Sequence, residues 1–188
     1  MSNKVEYIII HHEAAPFVND QPRVHIVNDY HRLRGFPKSS LGWFVGYHIF
    51  IERDGDYVTC RTDTDEGAHT KGMNFSSLGI CMAGNTDLTP PTQAQVATLR
   101  KLINEKAQRY GIPKERIVPH RRFTQTTCYG RTLADNWAAN MHESVITITP
   151  SVHEQLTALQ KALAYLNELF ERWKRLKVGK IDTLDHLT

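Results

Sequence analysis

The chain has 188 residues, of which 40% are apolar and 23% charged, and its formal net charge is +3. That composition fits one globular domain with a real core plus a short appendage, and it excludes a low-complexity or disordered chain. The charge is too mild for a nucleic-acid binder, which needs a basic stripe or a far more basic domain, so no nucleic-acid partner is expected.

The first apolar run, Ile8-Ile9-Ile10, is too short for a signal sequence or a membrane span, and Glu6 interrupts its approach. Synthesis in the cytoplasm without a signal peptide is expected, and a target outside the cell would require another route out. Three cysteines, Cys60, Cys81 and Cys128, are too few for a disulfide scaffold. Cys60 and Cys81 read as buried small hydrophobes.

Val5 to His11 is predicted as a buried strand, ending in His11-His12-Glu13. Strand alternation places His11 and Glu13 on one face and His12 on the other. A solvated strand end is the simpler reading of a lone histidine there. Arg23 to Arg34 carries Val24, Val27, Tyr30 and His31 at helical spacing and ends at Gly35. Val45 to Arg53 is predicted as a strand, Asp54-Gly55 as a hairpin turn, and Asp56 to Arg61 as the returning strand. A polar loop containing Ala68-His69-Thr70-Lys71-Gly72 leads to a buried strand over Ser77 to Ala83.

Pro90-Pro91-Thr92 opens a helix with the core stripe Val96, Leu99, Leu102, Ile103 and Ala107, closed by Gly111 and Pro113. Ile117-Val118 is a short strand. His120 and Cys128 follow, separated by seven residues; both types bind zinc, but two ligands alone are a weak signal. Thr132 to His142 is predicted as a helix. Residues 143–150 read as a linker, and 151–188 as a capped amphipathic helix with a tail. In that helix Val152, Leu156, Leu159, Leu163, Leu166, Phe170 and Trp173 recur at alternating steps of four and three, a short heptad seam with a basic end.

The candidates for chemistry are thus His11, Tyr47, His48, His69, His120, Thr126 and Cys128, at strand ends or on loops. Four blocks carry a resemblance. They are Ile8-Ile9-Ile10-His11-His12; Val45-Gly46-Tyr47-His48-Ile49-Phe50-Ile51 with its Asp54-Gly55 turn; Gly67-Ala68-His69-Thr70-Lys71-Gly72-Met73-Asn74 running into Ser77 to Asn85; and His120 with Cys128. In this order, over about residues 5 to 140, they resemble the zinc-dependent N-acetylmuramoyl-L-alanine amidases of the T7 lysozyme and peptidoglycan-recognition-protein type.

The resemblance implies an α/β fold, a mixed central β-sheet flanked by helices, over residues 1–142, with the C-terminal helix outside it. It implies one Zn²⁺ per chain held by His11, His120 and Cys128. Tyr47 matches the active-site tyrosine, and Thr126 a position near the reacting carbonyl. His69 matches a cleft-lining residue that contacts substrate, and Arg61 is a further substrate-binding candidate. His12 and His48 read as structural. The implied activity is cleavage of the amide between N-acetylmuramic acid and L-alanine in peptidoglycan, as in a phage endolysin that reaches the wall after release from the host cytoplasm. A non-catalytic peptidoglycan-binding module and a cytosolic muropeptide-recycling amidase are the alternatives. Two positions depart from the family pattern: Tyr129 stands where proline commonly follows the cysteine, and Phe44 where an acidic residue is frequent. The C-terminal helix is open to three readings: packing on the amidase domain, self-association, or contact with wall polymer or anionic lipid.

Overall fold

The computed structural model describes residues 5–15, 22–142 and 152–181. The chain divides into two units, Met1–Val145 and Ile146–Thr188. The expected linker over 143–150 and the tail beyond 181 lie outside the described residues.

The first unit is built on a five-stranded sheet in the order β3-β2-β4-β1-β5. Its strands are β1 (Tyr7–His12), β2 (Ile49–Ile51), β3 (Tyr57–Thr59), β4 (Ser77–Met82) and β5 (Ile117–Pro119). β1 runs parallel to both β4 and β5, β2 runs parallel to β4, and only the β2–β3 hairpin is antiparallel. β1 and β4 are buried almost throughout, as the middle of a parallel sheet covered on both faces requires.

Two helices cover those faces. α2 (Gln93–Tyr110) lays Leu99, Leu102, Ile103 and Ala107 on Ile8, Ile10, Ile49, Ile51, Leu78 and Ile80. Its start is a capping box in which Thr92 accepts from the Gln95 amide, and it ends at Gly111 in the left-handed region, φ 63°. α1 (Arg23–Leu33) lays Val24 and Val27 with Phe50 and Cys81 on the opposite face. Strand alternation therefore sends Ile8, Ile10 and His12 towards α2, and Ile9 and His11 towards α1.

α1 has no cap of its own. Glu52, just after β2, accepts from the amides of Arg23 (3.0 Å) and Val24 (2.8 Å) and meets the positive end of the helix dipole. This long-range cap fixes the helix that walls the groove described below.

Three expectations are corrected. The predicted strand over Val45 to Arg53 is regular only over Ile49–Ile51. Gly46 leaves the ladder to donate to His31 Nδ1 (3.0 Å) and to accept from the Ala68 amide (2.9 Å). The predicted helix over Thr132 to His142 is a series of turns with a 3₁₀ segment at Ala139–Met141. Its backbone bonds close tight turns instead, Trp137 N donating to Ala134 O (2.9 Å) and Met141 N to Ala138 O (3.0 Å), while Arg121 donates to Leu133 O and the Tyr129 hydroxyl lies 2.9 Å from Ala134 O and 3.0 Å from Asp135 O. Arg61, expected to contact substrate, is 2% exposed. Its guanidinium donates to the carbonyls of Val45 (2.8 Å), Glu66 (3.0 Å) and Pro37 (2.7 Å), so it ties three loops together.

In the second unit α3 spans Val152–Ile181. Leu156, Leu159, Leu163, Leu166, Phe170 and Trp173 are exposed along it. Among the described residues no helix is long and apolar enough to cross a membrane.

Candidate metal centre and active-site groove

The carboxyl ends of β1 and β5 lie side by side, because Ile10 pairs with Pro119. His11 therefore follows at the end of β1 and His120 just after β5, with ring centroids 4.5 Å apart. The loop after His120 returns Cys128 beneath them, and Arg121 N donates to Cys128 O (2.9 Å) to close it. One ligand atom from each of His11, His120 and Cys128 lies within 4.8 Å of the others, so the three form a group able to hold a metal ion. The crevice beyond the carboxyl ends of parallel strands is where open α/β sheets place their ligands.

The donor set has the chemistry of a divalent-metal site. Burial, then the neighbouring His69, His120 and His12, holds His11 well below its ordinary pKa, and burial also lowers His120, so both rings are neutral with free lone pairs. Burial pushes the Cys128 thiol up to about 12, although the His12 amide pulls the other way. A bound cation would reverse that preference and favour the thiolate.

His12 and His48 serve structure. His12 Nδ1 accepts from the Thr86 amide at 3.0 Å. His48 Nδ1 accepts from the Gly79 amide at 3.0 Å, and its Nε2 lies 3.1 Å from Asp65 O. Cys60 and Cys81 are fully buried in the α1-side core.

Tyr47 stands over the ligand group, its ring centroid 5.0 Å from that of His11. Burial first, then Cys81, Cys128 and Glu13, raises its hydroxyl well above the ordinary value of 10, so it stays an O–H donor at neutral pH. His69 lies beside both rings, with Nδ1 3.1 Å from His11 Nε2. Thr126 is exposed, and its Oγ1 accepts from the Cys128 amide at 3.3 Å. It faces a shallow depression with Arg121, Thr127 and Arg131 rather than the groove beneath Tyr47.

That groove has a volume of about 590 Å³ and runs between α1 and the loop ahead of β4. Tyr30, His31, Arg34 and Phe36 line one wall, and Tyr47 and His69 line the end nearest the ligand group. Glu13 is on its floor, as strand alternation with His11 predicts. Glu13 is tied down by the Arg23 guanidinium and by the Gly84 amide (3.1 Å), so both its oxygens are already engaged. A shallower depression continues past His69 to Lys71, His120 and Thr124.

The sequence reading missed Thr70, whose Oγ1 is 3.0 Å from His69 Nδ1, and the wall residues Arg34 and Phe36. Thr70 sits inside the motif quoted above, but a threonine after a histidine has no distinguishing chemistry until the loop is folded. Tyr129, the departure from the family pattern, is fully buried against Trp137 and under the Arg121 guanidinium.

The site thus lies in an α/β domain whose parallel-rich sheet carries, at its carboxyl edge, a three-residue group able to hold a metal ion, with a groove beside it. The chain belongs to the N-acetylmuramoyl-L-alanine amidase family, whose model matches residues 1–131. It is 33% identical over 93 residues to the endolysin of Enterobacteria phage K11, covering 46% of this chain and 60% of that one. It is 26% identical over 132 residues to the N-acetylmuramoyl-L-alanine amidase of Homo sapiens, covering 69% of this chain but 23% of the human protein. The chain thus spans less than two thirds of either curated relative. Among solved structures, Drosophila PGRP-LB wild-type is similar with a TM-score of 0.59 and 26% identity, covering 78% of this chain and 87% of that one.

Proposed function

We propose that this protein is a zinc-dependent amidase that cleaves the bond between N-acetylmuramic acid and L-alanine in peptidoglycan. The observation that carries the reading is the convergence of His11, His120 and Cys128 within 4.8 Å, with His11 against Tyr47 and His69, which line the groove. Membership of the amidase family and similarity to an endolysin support it.

Two imidazoles and one thiolate suit Zn²⁺, and three protein ligands are the complement of a catalytic rather than a structural zinc. When bound, zinc supplies the Lewis acidity that brings a water towards neutral pKa and polarises an amide carbonyl. The chain's own residues do the rest. The groove between α1 and the loop ahead of β4 holds the peptide stem. Tyr47 keeps its proton and donates to the carbonyl oxygen as negative charge develops there, the role of an oxyanion donor. Thr126 acts through the Cys128 amide that it accepts. The departing amine must gain a proton, and the protonated Tyr47 hydroxyl is the group at that end of the groove that can pass one on and recover it from the attacking water. Glu13 is excluded from that role by its pairing with Arg23.

Cys128 separates this reading from a non-catalytic peptidoglycan binder, which has no use for a thiolate ligand beside its groove. The physiological role we favour is that of an endolysin, made in a host cytoplasm and acting on the wall after release. The test is metal analysis combined with release of new L-alanine amino groups from purified peptidoglycan. One zinc per chain and amine release are expected in the wild type, and neither in Cys128→Ser.

The exposed stripe of α3 is an association surface in this reading. From Leu156 to Trp173 it is about 26 Å long at the helical rise, and Phe170, with Lys174 over its ring, stacks on Trp173 (5.9 Å). A second copy would use the heptads; wall polymer or anionic lipid would use the basic end and the aromatics. Molar mass in solution and co-flotation with phosphatidylglycerol vesicles, each repeated on Leu163→Glu, separate these partners.

A further inference from the structure

We infer that His69 is a positioning residue of the metal centre: it holds the Nε2 edge of His11 and so aims His11 Nδ1 at the other two ligands. The inference rests on the metal reading above and adds a residue to it.

The two nitrogens of His11 face different groups. Nδ1 lies 3.7 Å from Cys128 Sγ, inside the ligand group. Nε2 lies 3.1 Å from His69 Nδ1 and 3.5 Å from Thr70 Oγ1, outside it. A metal-bound imidazole donates its other N–H to an acceptor that fixes its tautomer and its plane. Here that acceptor is a second imidazole rather than a carboxylate or a carbonyl. For His11 Nδ1 to offer a lone pair, its Nε2 must carry the hydrogen, and His69 Nδ1 must accept it.

The His69 ring is itself held in a slot that two glycines keep open. A Cβ on Gly67 would lie 2.5 Å from its Cδ2, and one on Gly79, within β4, would lie 2.6 Å from its Cδ2 and Cγ. No side chain larger than hydrogen fits at either position with the ring where it is. The loop is pinned as well: Asn74 Oδ1 accepts from the amides of His69 (3.0 Å) and Thr70 (2.8 Å). His69 Nε2 is buried and makes no hydrogen bond among the described residues. The contact through Nδ1 gives the ring its use.

The experiment measures Zn²⁺ affinity of the full chain by chelator competition, and the visible spectrum of the Co²⁺ form, in three variants. His69→Leu keeps bulk and removes the acceptor; a loss of about 10- to 100-fold in affinity is expected, with altered cobalt bands. His69→Asn returns an acceptor oxygen near the place of Nδ1 and should recover most of that loss. Gly79→Ala displaces the ring without deleting it and should weaken affinity in the same direction. Wild-type affinity and spectrum in folded His69→Leu, or equal losses in His69→Leu and His69→Asn, would overturn the inference. Should His69→Leu fail to fold, wild-type affinity in Gly79→Ala overturns it instead. A histidine that only contacts substrate would change KM in these variants and leave metal affinity alone. If the wild-type chain itself binds no zinc, the metal reading fails; if the wild type binds and the His69 variants match it, only the positioning role fails.

Discussion

The backbone N–H of His12 points at the Sγ of Cys128 across 3.3 Å. One strand end thus supplies the candidate ligand His11 through its side chain and, through the next amide, a donor to the sulfur of another candidate ligand, Cys128. Residues 116 apart in sequence are locked by the strand that carries the first ligand. Such contacts orient a ligand before the metal arrives, which is the usual work of the groups behind a metal site.

Metal binding should tighten with pH. In the free protein burial holds the Cys128 thiol at about 12, so it is protonated at neutral pH, while both histidines are neutral. The metal must displace one proton from sulfur. Affinity should therefore rise about tenfold per pH unit between roughly pH 7 and 9, with about one proton released per ion. Calorimetry in buffers of different ionisation enthalpy measures that proton.

Tyr47→Phe removes the donor and keeps the ring over His11. The expected result is a fall of about 10²–10³ in kcat, the scale of one oxyanion donor, with metal content and melting temperature unchanged. A loss of metal together with activity would place Tyr47 among the residues that build the site instead.

Arg61→Ala should act on the fold and not on substrate recognition. Three backbone carbonyls lose a charged donor in buried loops, which costs about 2–4 kcal/mol. Urea denaturation should show that loss. A change in KM at unchanged stability would return Arg61 to the substrate.

Acid should destabilise the fold before its carboxylates titrate. Burial lowers His48 and His31 from 6.5 to about 4, and each accepts a backbone N–H through Nδ1. The folded state therefore resists protonation that the unfolded state accepts. Stability is complete above about pH 6.5 and is lost as the pH falls towards 4. Asp63, lowered despite burial by Lys106 and Tyr110, contributes its stability above its ordinary value of 3.8 and loses it only below that. Denaturation curves at pH 7.5 and 4.5 test this, and His48→Gln should flatten the difference.

Much of this was legible in the sequence, for reasons that differ by residue. β1 and β4 are strong apolar runs, and α2 has an unambiguous stripe, cap and terminal glycine, so local chemistry alone places them. The grouping of His11, His120 and Cys128 was legible only through the family blocks, because spacing cannot bring the end of β1 to the start of the His120 loop; the parallel pairing of β1 with β5 does that. Arg61 was misread because a buried arginine and a substrate arginine look alike until the loops that offer carbonyls are folded. The helix expected over Thr132 to His142 had the right apolar spacing, but the segment closes as tight turns against Arg121 and Tyr129, contacts that spacing alone does not reveal. The Glu52 cap on α1 joins residues 28 and 29 apart, and it too appears only once the chain is folded.

The most direct test of the central claim is digestion of purified peptidoglycan by the wild-type, metal-stripped and Cys128→Ser proteins, scoring new L-alanine amino termini against new reducing sugars. Amine release by the wild type alone, restored to the stripped protein by one equivalent of Zn²⁺, is the predicted result. Undiminished release by Cys128→Ser, or reducing sugars in place of amines, would contradict it.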